Sequence, residues 1–203
     1  MKSHGLLMTP DLIRATIAGI KTETRRIPTP RNCLFDGGTW PKEFLQHESW
    51  KTQLDWKNAT TGLYLQVRCP INMTTHRIYP RIQPGETMYV KEAWGGKNTL
   101  TGEGYQYKAD KPQAKTYEEW VTGGDMWMYN VKWKSPMFMP RWAARIVRPV
   151  LSVGYEWLHD ITPQSAKAEG LETVDGFMDT WLKIYGNTDN RVVLVYKFGK
   201  ENV

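Results

Sequence analysis

The sequence is poor in the residues from which disulfide frameworks and metal centres are built. Of its 203 residues only two are cysteine, Cys33 and Cys69, and four are histidine. No CxxC, HxxxH or HExxH spacing occurs, so the sequence indicates neither a disulfide-stapled fold nor a zinc hydrolase. We therefore expect a reduced protein that uses no metal or other cofactor.

Long hydrophobic runs are also missing. No segment approaches the roughly 18 apolar residues of a membrane-spanning helix, and the apolar stretch near Met1 is too short for a signal peptide. These two absences predict a cytoplasmic protein with no membrane partner. The length suits one elaborated domain that buries a core without staples.

The composition is basic and rich in aromatic residues. Lys and Arg outnumber Asp and Glu by 27 to 21, which gives a formal net charge of +6, and there are ten Trp and ten Tyr. Positive charge favours polyanionic partners, and aromatic rings beside cations can stack on bases, although most such rings in any protein belong to its core. The composition therefore favours a polyanionic partner such as nucleic acid or a nucleotide.

Capping signals predict two short helices. Thr9 and Thr162 each stand as an N-cap before a proline at the first helical position, which favours helices over Pro10–Ala18 and Pro163–Glu169. A third helix is predicted from apolar residues at i, i+4, i+7 and i+8, which we assign to the core: Phe177, Trp181, Ile184 and Tyr185.

Local patterns predict five strands. Threonines favour an extended backbone at 21–26, alternating residues predict strands at 63–69 and 87–92, a further strand is predicted at 105–109, and a continuous apolar run predicts a strand at 191–198 that is central in a sheet. The segment 147–153 contains Pro149, which predicts an edge strand or a bulged one. The loop-rich segments at about 28–83 and 95–138 are interpreted as two insertions, the second with a short helical piece at 117–121.

Polar side chains are concentrated in 19–26, directly after the first predicted helix. Strand alternation separates Lys21 from Thr24, so the two share a pocket only if the loop before them is irregular. A solvated loop with an edge strand is the alternative. Two carboxylates are further candidates: Glu92 ends a predicted strand, and Glu169 lies in the last turn of a helix, where the helix dipole disfavours an anion.

A basic and aromatic segment follows Met139. Arg141, Arg145 and Arg148 lie around Trp142, which is typical of a surface that binds phosphates and bases. An exposed strand rim would give the same pattern.

Four blocks, taken together, resemble the ASCH domain family, whose fold resembles the PUA domain. The longer, phage- and prophage-type branch shows GxKTxTRR, PGDxxxVRExW, MPRWASRI and AxxEG in this order, and here similar blocks occupy 19–26, 84–94, 139–146 and 166–170. The resemblance implies one domain over 1–203, α+β and mainly β: a small PUA-like mixed β-barrel with short flanking helices and the two insertions.

The resemblance also implies an activity. Compact bacterial members of the family include amidohydrolases that remove the acetyl group from N4-acetylcytidine, and their catalytic lysine, threonine and glutamate correspond to Lys21, Thr24 and Glu169. Glu169 would protonate the leaving amine or activate the deacylating water. The residues expected to bind substrate are Arg25, Arg26, Glu92, Trp94, Arg141, Trp142 and Arg145.

Two other functions stay open from the sequence. A non-catalytic module that binds nucleic acid or a modified base would use Lys21 as a point charge for phosphate, with Glu169 as its ion-pair partner. A ribonuclease ranks third, because the sequence lacks the His pair or metal ligands that usually cut RNA.

Overall fold

The computed structural model describes residues 2–28, 55–59, 62–68, 75–97, 105–110 and 133–201; for 55–59, 62–68, 75–78 and 96–97 it describes the backbone only. Three α-helices and ten strands are assigned there. The helices are α1 (Pro10–Ile17), α2 (Pro163–Ala168) and α3 (Val174–Tyr185). The strands are β1 (Ser3–Leu7), β2 (Glu23–Arg26), β3 (Asp55–Ala59), β4 (Gly62–Arg68), β5 (Thr75–Ile78), β6 (Thr87–Lys91), β7 (Trp94–Lys97), β8 (Tyr105–Tyr107), β9 (Val147–Trp157) and β10 (Val192–Phe198).

A five-stranded mixed sheet with few helices makes this an α+β fold. Its strand order is β1-β6-β9-β10-β2, with β1 parallel to β6 and the other pairs antiparallel. Within the described residues the sheet is open, and β1 and β2 are its edges. The segments predicted as insertions contribute a three-stranded sheet, β3-β4-β5, and the β7–β8 pair.

The core lies on both sides of β10, in which six of seven residues are buried. Leu194, Tyr196 and Phe198 pack with residues of β6 and β9, while Val193 packs with the apolar face of α3. The apolar run that predicts a central strand is thus confirmed, since β10 lies between β9 and β2.

Strand β9 changes partner along its length. Residues Val147 to Pro149 pair with β6, and Val150 to Trp157 pair with β10. The edge-strand alternative for this segment is therefore wrong, while the predicted bulge is confirmed by a register shift at Lys197/Phe198. Pro149 lies where the partner changes, so the N–H that proline lacks is not needed by a regular ladder.

The helices begin as predicted, with one correction to their core face. The Thr162 hydroxyl accepts from Ser165 N at 3.2 Å, and α1 has proline at its start although the Thr9 side chain makes no cap hydrogen bond. In α3, Phe177 and Trp181 are buried, but Ile184 is 46% exposed, so its assignment to the core is wrong. It lies at the rim of a cavity described below.

The structure shortens one predicted strand and does not describe one predicted helix. The strand predicted at 105–109 ends at Tyr107 and continues as a 3-10 helix, Lys108–Asp110. The helical piece predicted at 117–121 lies outside the described residues. None of the described helices is long and apolar enough to cross a membrane.

Candidate active site

The loop that carries Lys21 is fixed by three neighbouring elements. The Lys21 backbone N donates to Ala15 O of α1 at 3.0 Å, Thr22 N donates to Ala168 O of α2 at 2.7 Å, and Thr22 O accepts from Phe198 N at 2.9 Å. Because α1, α2 and β10 all contribute a bond, the polar stretch is held inside the fold. The solvated-loop part of the alternative is therefore wrong, whereas its edge strand is present as β2.

Gly170 allows α2 to approach α1 this closely. Its φ is +88°, and a Cβ there would lie 2.8 Å from Ala15 Cβ and 3.3 Å from Lys21 Cβ. Only glycine fits both the left-handed backbone and the short distance. The glycine thus brings Glu169, the residue before it, against Lys21.

Lys21 and Glu169 form a buried ion pair. They are 1% and 4% exposed, and Lys21 Nζ donates to Glu169 Oε2, to Glu169 O at 2.9 Å and to Glu23 O at 2.7 Å. Three acceptors match the three hydrogens of an ammonium group. Burial lowers the pKa of Lys21, the Glu169 carboxylate opposes this shift, and the Arg26 and Arg25 guanidinium groups add to it.

Arg25 connects this pair to further carboxylates. It donates from Nη1 to Glu169 Oε1 at 3.1 Å and to Glu23 Oε2 at 3.3 Å, and from Nε to Glu156 Oε1 at 2.5 Å. Lys197 Nζ lies 3.0 Å from Glu23 Oε1. Three cations and three carboxylates therefore form one electrically balanced network.

Thr24 lies beside this network, on the wall of a cavity. The cavity has a volume of about 360 Å³ and extends from β2 to the aromatic face of α3. Neither Lys21 nor Glu169 lines it, and in the described part of the chain no hydrogen bond joins Thr24 to Lys21. Of the three residues expected to be catalytic, the structure thus brings two into contact and places the third on the adjoining wall.

Arg26 spans the gap between the two edge strands of the sheet. Its Nη2 donates to Leu7 O at the end of β1, at 2.6 Å. The same side chain lines both the 360 Å³ cavity and a smaller one of about 160 Å³ that reaches Tyr196. Arg26 therefore separates two cavities that lie between β1 and β2.

A second polar cluster is built from other elements. Glu92, 1% exposed, follows β6 and accepts from Arg145 Nε and Nη2, both at 2.9 Å. Arg145 also donates to Asp110 at 2.6 Å, and its Cζ lies 4.1 Å from the centroid of the Tyr107 ring. Burial raises the pKa of Glu92, while Arg145 opposes the shift.

The aromatic residues expected to bind substrate adjoin this second cluster. Trp94 is buried and Trp142 is 66% exposed, with their ring centroids 5.7 Å apart and their planes perpendicular. Arg141 is exposed and donates to Ser3 Oγ at 3.2 Å, whereas Arg148 is 6% exposed. The three arginines therefore do not form one exposed basic surface, because Arg148 is inside the fold and Arg145 is held by carboxylates.

Several residues of the site were not expected from the sequence. Glu23 and Glu156 complete the charge network, and Phe177, Trp181 and Tyr185 line the cavity rather than only filling the core. The arginine pair after a buried lysine signals that carboxylates must lie nearby, but nothing in the sequence indicates which ones.

The site holds no obvious metal-ligand set. In the ranges that the structure describes, no three or more His, Cys, Asp or Glu side chains are grouped so as to hold a metal ion. No family model, curated protein or solved structure matches the chain.

Proposed function

We propose that this chain is an ASCH-type amidohydrolase that removes an acyl group from the N4 amine of a modified cytosine nucleoside similar to N4-acetylcytidine. The contact between Lys21 and Glu169 carries the proposal. These residues are 148 positions apart, yet they form a buried ion pair beside a cavity whose wall includes Thr24. A lysine, a carboxylate and a hydroxyl are the groups that acyl transfer needs.

The ion pair supplies both a base and an acid when one proton moves within it. Transfer from Lys21 Nζ to Glu169 Oε2 gives a neutral amine and a carboxylic acid. The step requires that substrate binding brings Thr24 Oγ1 within hydrogen-bond distance of Lys21 Nζ. The amine then accepts the Thr24 proton while Thr24 Oγ1 attacks the acyl carbon, and the acid protonates N4 as the C–N bond breaks. Lys21 is again an ammonium and Glu169 a carboxylate, with the acyl group on Thr24.

Water completes the cycle. Glu169 accepts a proton from the attacking water, the ester bond to Thr24 breaks, and the proton returns to Thr24 Oγ1. Burial supports the first proton transfer, because it lowers the pKa of Lys21 and so reduces the free energy needed to form the neutral amine.

The same proposal includes a PUA-like barrel. The five-stranded sheet curls until Arg26 of one edge reaches Leu7 O of the other. This side-chain bridge between the edge strands supports a barrel-like shape. Between β1 and β2, side chains and two cavities would take the place of backbone hydrogen bonds.

The test is incubation with N4-acetylcytidine, followed by chromatography for released cytidine. We expect Thr24→Val to abolish release, because valine keeps the shape of threonine but has no nucleophilic oxygen. Thr22→Val is the matched control, since Thr22 does not line the cavity, and we expect it to retain activity. Equal activity of Thr24→Val and the unchanged protein would exclude the mechanism.

A binding module is the second candidate function. It is favoured by the saturation of Lys21, whose three ammonium hydrogens all have acceptors other than Thr24. A protein that only binds the base would show affinity for N4-acetylcytidine without releasing cytidine, and Thr24→Val would then weaken binding rather than turnover.

A further inference from the structure

The 360 Å³ cavity beside Thr24 has an unbalanced positive charge. Its charged lining residues are Arg25 and Arg26, and no Asp or Glu lines it. Arg25 is offset by three carboxylates. Arg26 instead donates to a neutral carbonyl, Leu7 O, and no carboxylate of the described residues lies within ion-pair distance of it. The charge of Arg26 is therefore available to an anion.

Two residues that line this cavity each have a buried donor with no acceptor in the described part of the chain. Trp181 Nε1 and Arg26 Nε are buried and, within the described residues, have no hydrogen-bond partner. Trp181 is only 3% exposed. A buried donor without an acceptor costs about 1–3 kcal/mol, so a change of side-chain conformation that lets a ligand oxygen reach either nitrogen would relieve this cost.

The opposite wall is aromatic. Ring centroids of Phe177 and Trp181 are 5.9 Å apart, and those of Trp181 and Tyr185 are 4.2 Å apart. The parts of these rings that border the cavity can contact a planar group. The volume of about 360 Å³ falls within the range of small-molecule sites.

We propose that the cavity binds a pyrimidine nucleotide rather than an uncharged nucleoside, with the base on the aromatic wall and a phosphate on Arg26. Guanidinium groups bind phosphate through paired N–H donors, and among the described residues no carboxylate competes for those of Arg26, whose Nη2 donates to Leu7 O. The identity of the base rests on the proposed function, whereas the need for an anion rests on Arg26 alone. The phosphate belongs either to a free nucleotide or to an RNA strand.

Calorimetric titration tests the proposal without any turnover. The probes are cytidine, cytidine 5′-monophosphate and a short single-stranded oligoribonucleotide of cytidine. We expect the monophosphate to bind at least about tenfold more tightly than cytidine, because a charge-assisted contact is added. A higher salt concentration should reduce this advantage. Equal binding of the two would overturn the proposal.

Variants locate the phosphate. Arg26→Gln should abolish the advantage of the monophosphate, and Arg26→Lys should keep part of it, because lysine retains the charge but not the paired donors. Arg14→Gln removes the same charge from an exposed position outside this cavity, and the advantage should persist. A preference that survives in Arg26→Gln would also overturn the proposal. If Arg26→Gln does not fold, the salt dependence in the unchanged protein and Arg26→Lys decide.

The outcomes separate this inference from the amidohydrolase proposal. Tight monophosphate binding, with no deacetylated product from N4-acetylcytidine or from its 5′-monophosphate, would support the anion site and reject the enzyme. Release of cytidine from N4-acetylcytidine, with equal binding of cytidine and its monophosphate, would support the enzyme and reject the anion site. Tighter binding of the oligoribonucleotide than of the monophosphate assigns the phosphate to an RNA strand, and equal or weaker binding assigns it to a free nucleotide.

Discussion

The charged amino group of Lys21 is almost completely buried, and three oxygen atoms accept its hydrogen bonds. Removing a charge from water costs several kcal/mol unless hydrogen bonds and an opposite charge replace the hydration shell. Here two backbone carbonyls and the Glu169 carboxylate do so. Loss of either ionic partner leaves the other in the same low-dielectric surroundings, so both residues serve stability as well as the proposed chemistry.

Glu169→Gln should therefore destabilise the protein, by about 3–5 kcal/mol near neutral pH. The loss should shrink as pH rises. The folded-state pKa of Lys21 is already below 10.5, and removal of the carboxylate lowers it further. Between the folded pKa and 10.5 the unfolded chain binds more protons, so the free energy of unfolding increases with pH. Denaturant titrations between about pH 7 and about pH 10 measure the difference in the free energy of unfolding between the variant and the unchanged protein.

The contribution of Glu92 to the free energy of unfolding should depend on pH in the opposite direction to that of Lys21. Burial raises its pKa above the ordinary 4.5, so between 4.5 and the raised value the folded protein binds more protons than the unfolded chain. Its contribution to the free energy of unfolding is therefore present at low pH and declines as pH rises through that window. In Glu92→Gln this decline should be absent, which denaturant titrations from about pH 4 upward can test against the unchanged protein. Parallel pH curves would contradict the assignment.

The predictability of the site differs from residue to residue. Lys21 and Glu169 could be selected from sequence because their local surroundings are distinctive, a polar run after a helix and an acid at a helix C-terminus. Glu156 could not. Its approach to Arg25 depends on two strand registers, Val195 opposite Arg25 and Val193 opposite Glu156. The sequence around Arg25 or Glu156 does not determine either strand register.

At the scale of the element, helix starts were predictable because their signals are local. Threonine followed by proline marks the beginning of α1 and α2 without reference to any other part of the chain. Strand neighbours depend on distant segments, and this is why Pro149 suggested an edge although β9 lies between β6 and β10. The aromatic face of α3 shows the same limit, since periodicity identifies an apolar face but not whether it packs fully or borders a cavity.

The contact between α1 and α2 gives a prediction at this scale. Gly170→Ala should destabilise the protein by more than about 2 kcal/mol, because it combines a left-handed backbone cost of about 1–2 kcal/mol with a forced contact to Ala15 Cβ. The measurement is thermal or denaturant unfolding.

Gly186→Ala is the matched control for Gly170→Ala. Gly186 has a φ of +81°, but a Cβ there meets nothing within 4 Å. Its variant should show only the backbone cost. Equal losses in the two variants would mean that the close approach of α1 and α2 contributes nothing to stability.

For the whole molecule, the order of strands predicts a gradient of local stability. Strand β10 is paired on both sides and buried on both faces, whereas β1 pairs only with β6 among the described strands. Amide hydrogens of β10 should therefore exchange with solvent through global unfolding, and those of β1 through smaller local openings. Native-state hydrogen exchange at increasing denaturant distinguishes these regimes, and faster exchange in β10 than in β1 would contradict this sheet order.

The pairing of β2 with β10 also fixes when the fold can form. β2 lies near the start of the chain, and its partner follows more than 160 residues later. Such long loops must close before their contacts stabilise anything, which slows folding. During synthesis, Lys21 stays hydrated and β2 stays unpaired until residues 169 to 198 have left the ribosome. The nascent chain therefore buries this charge only after both segments have been synthesised.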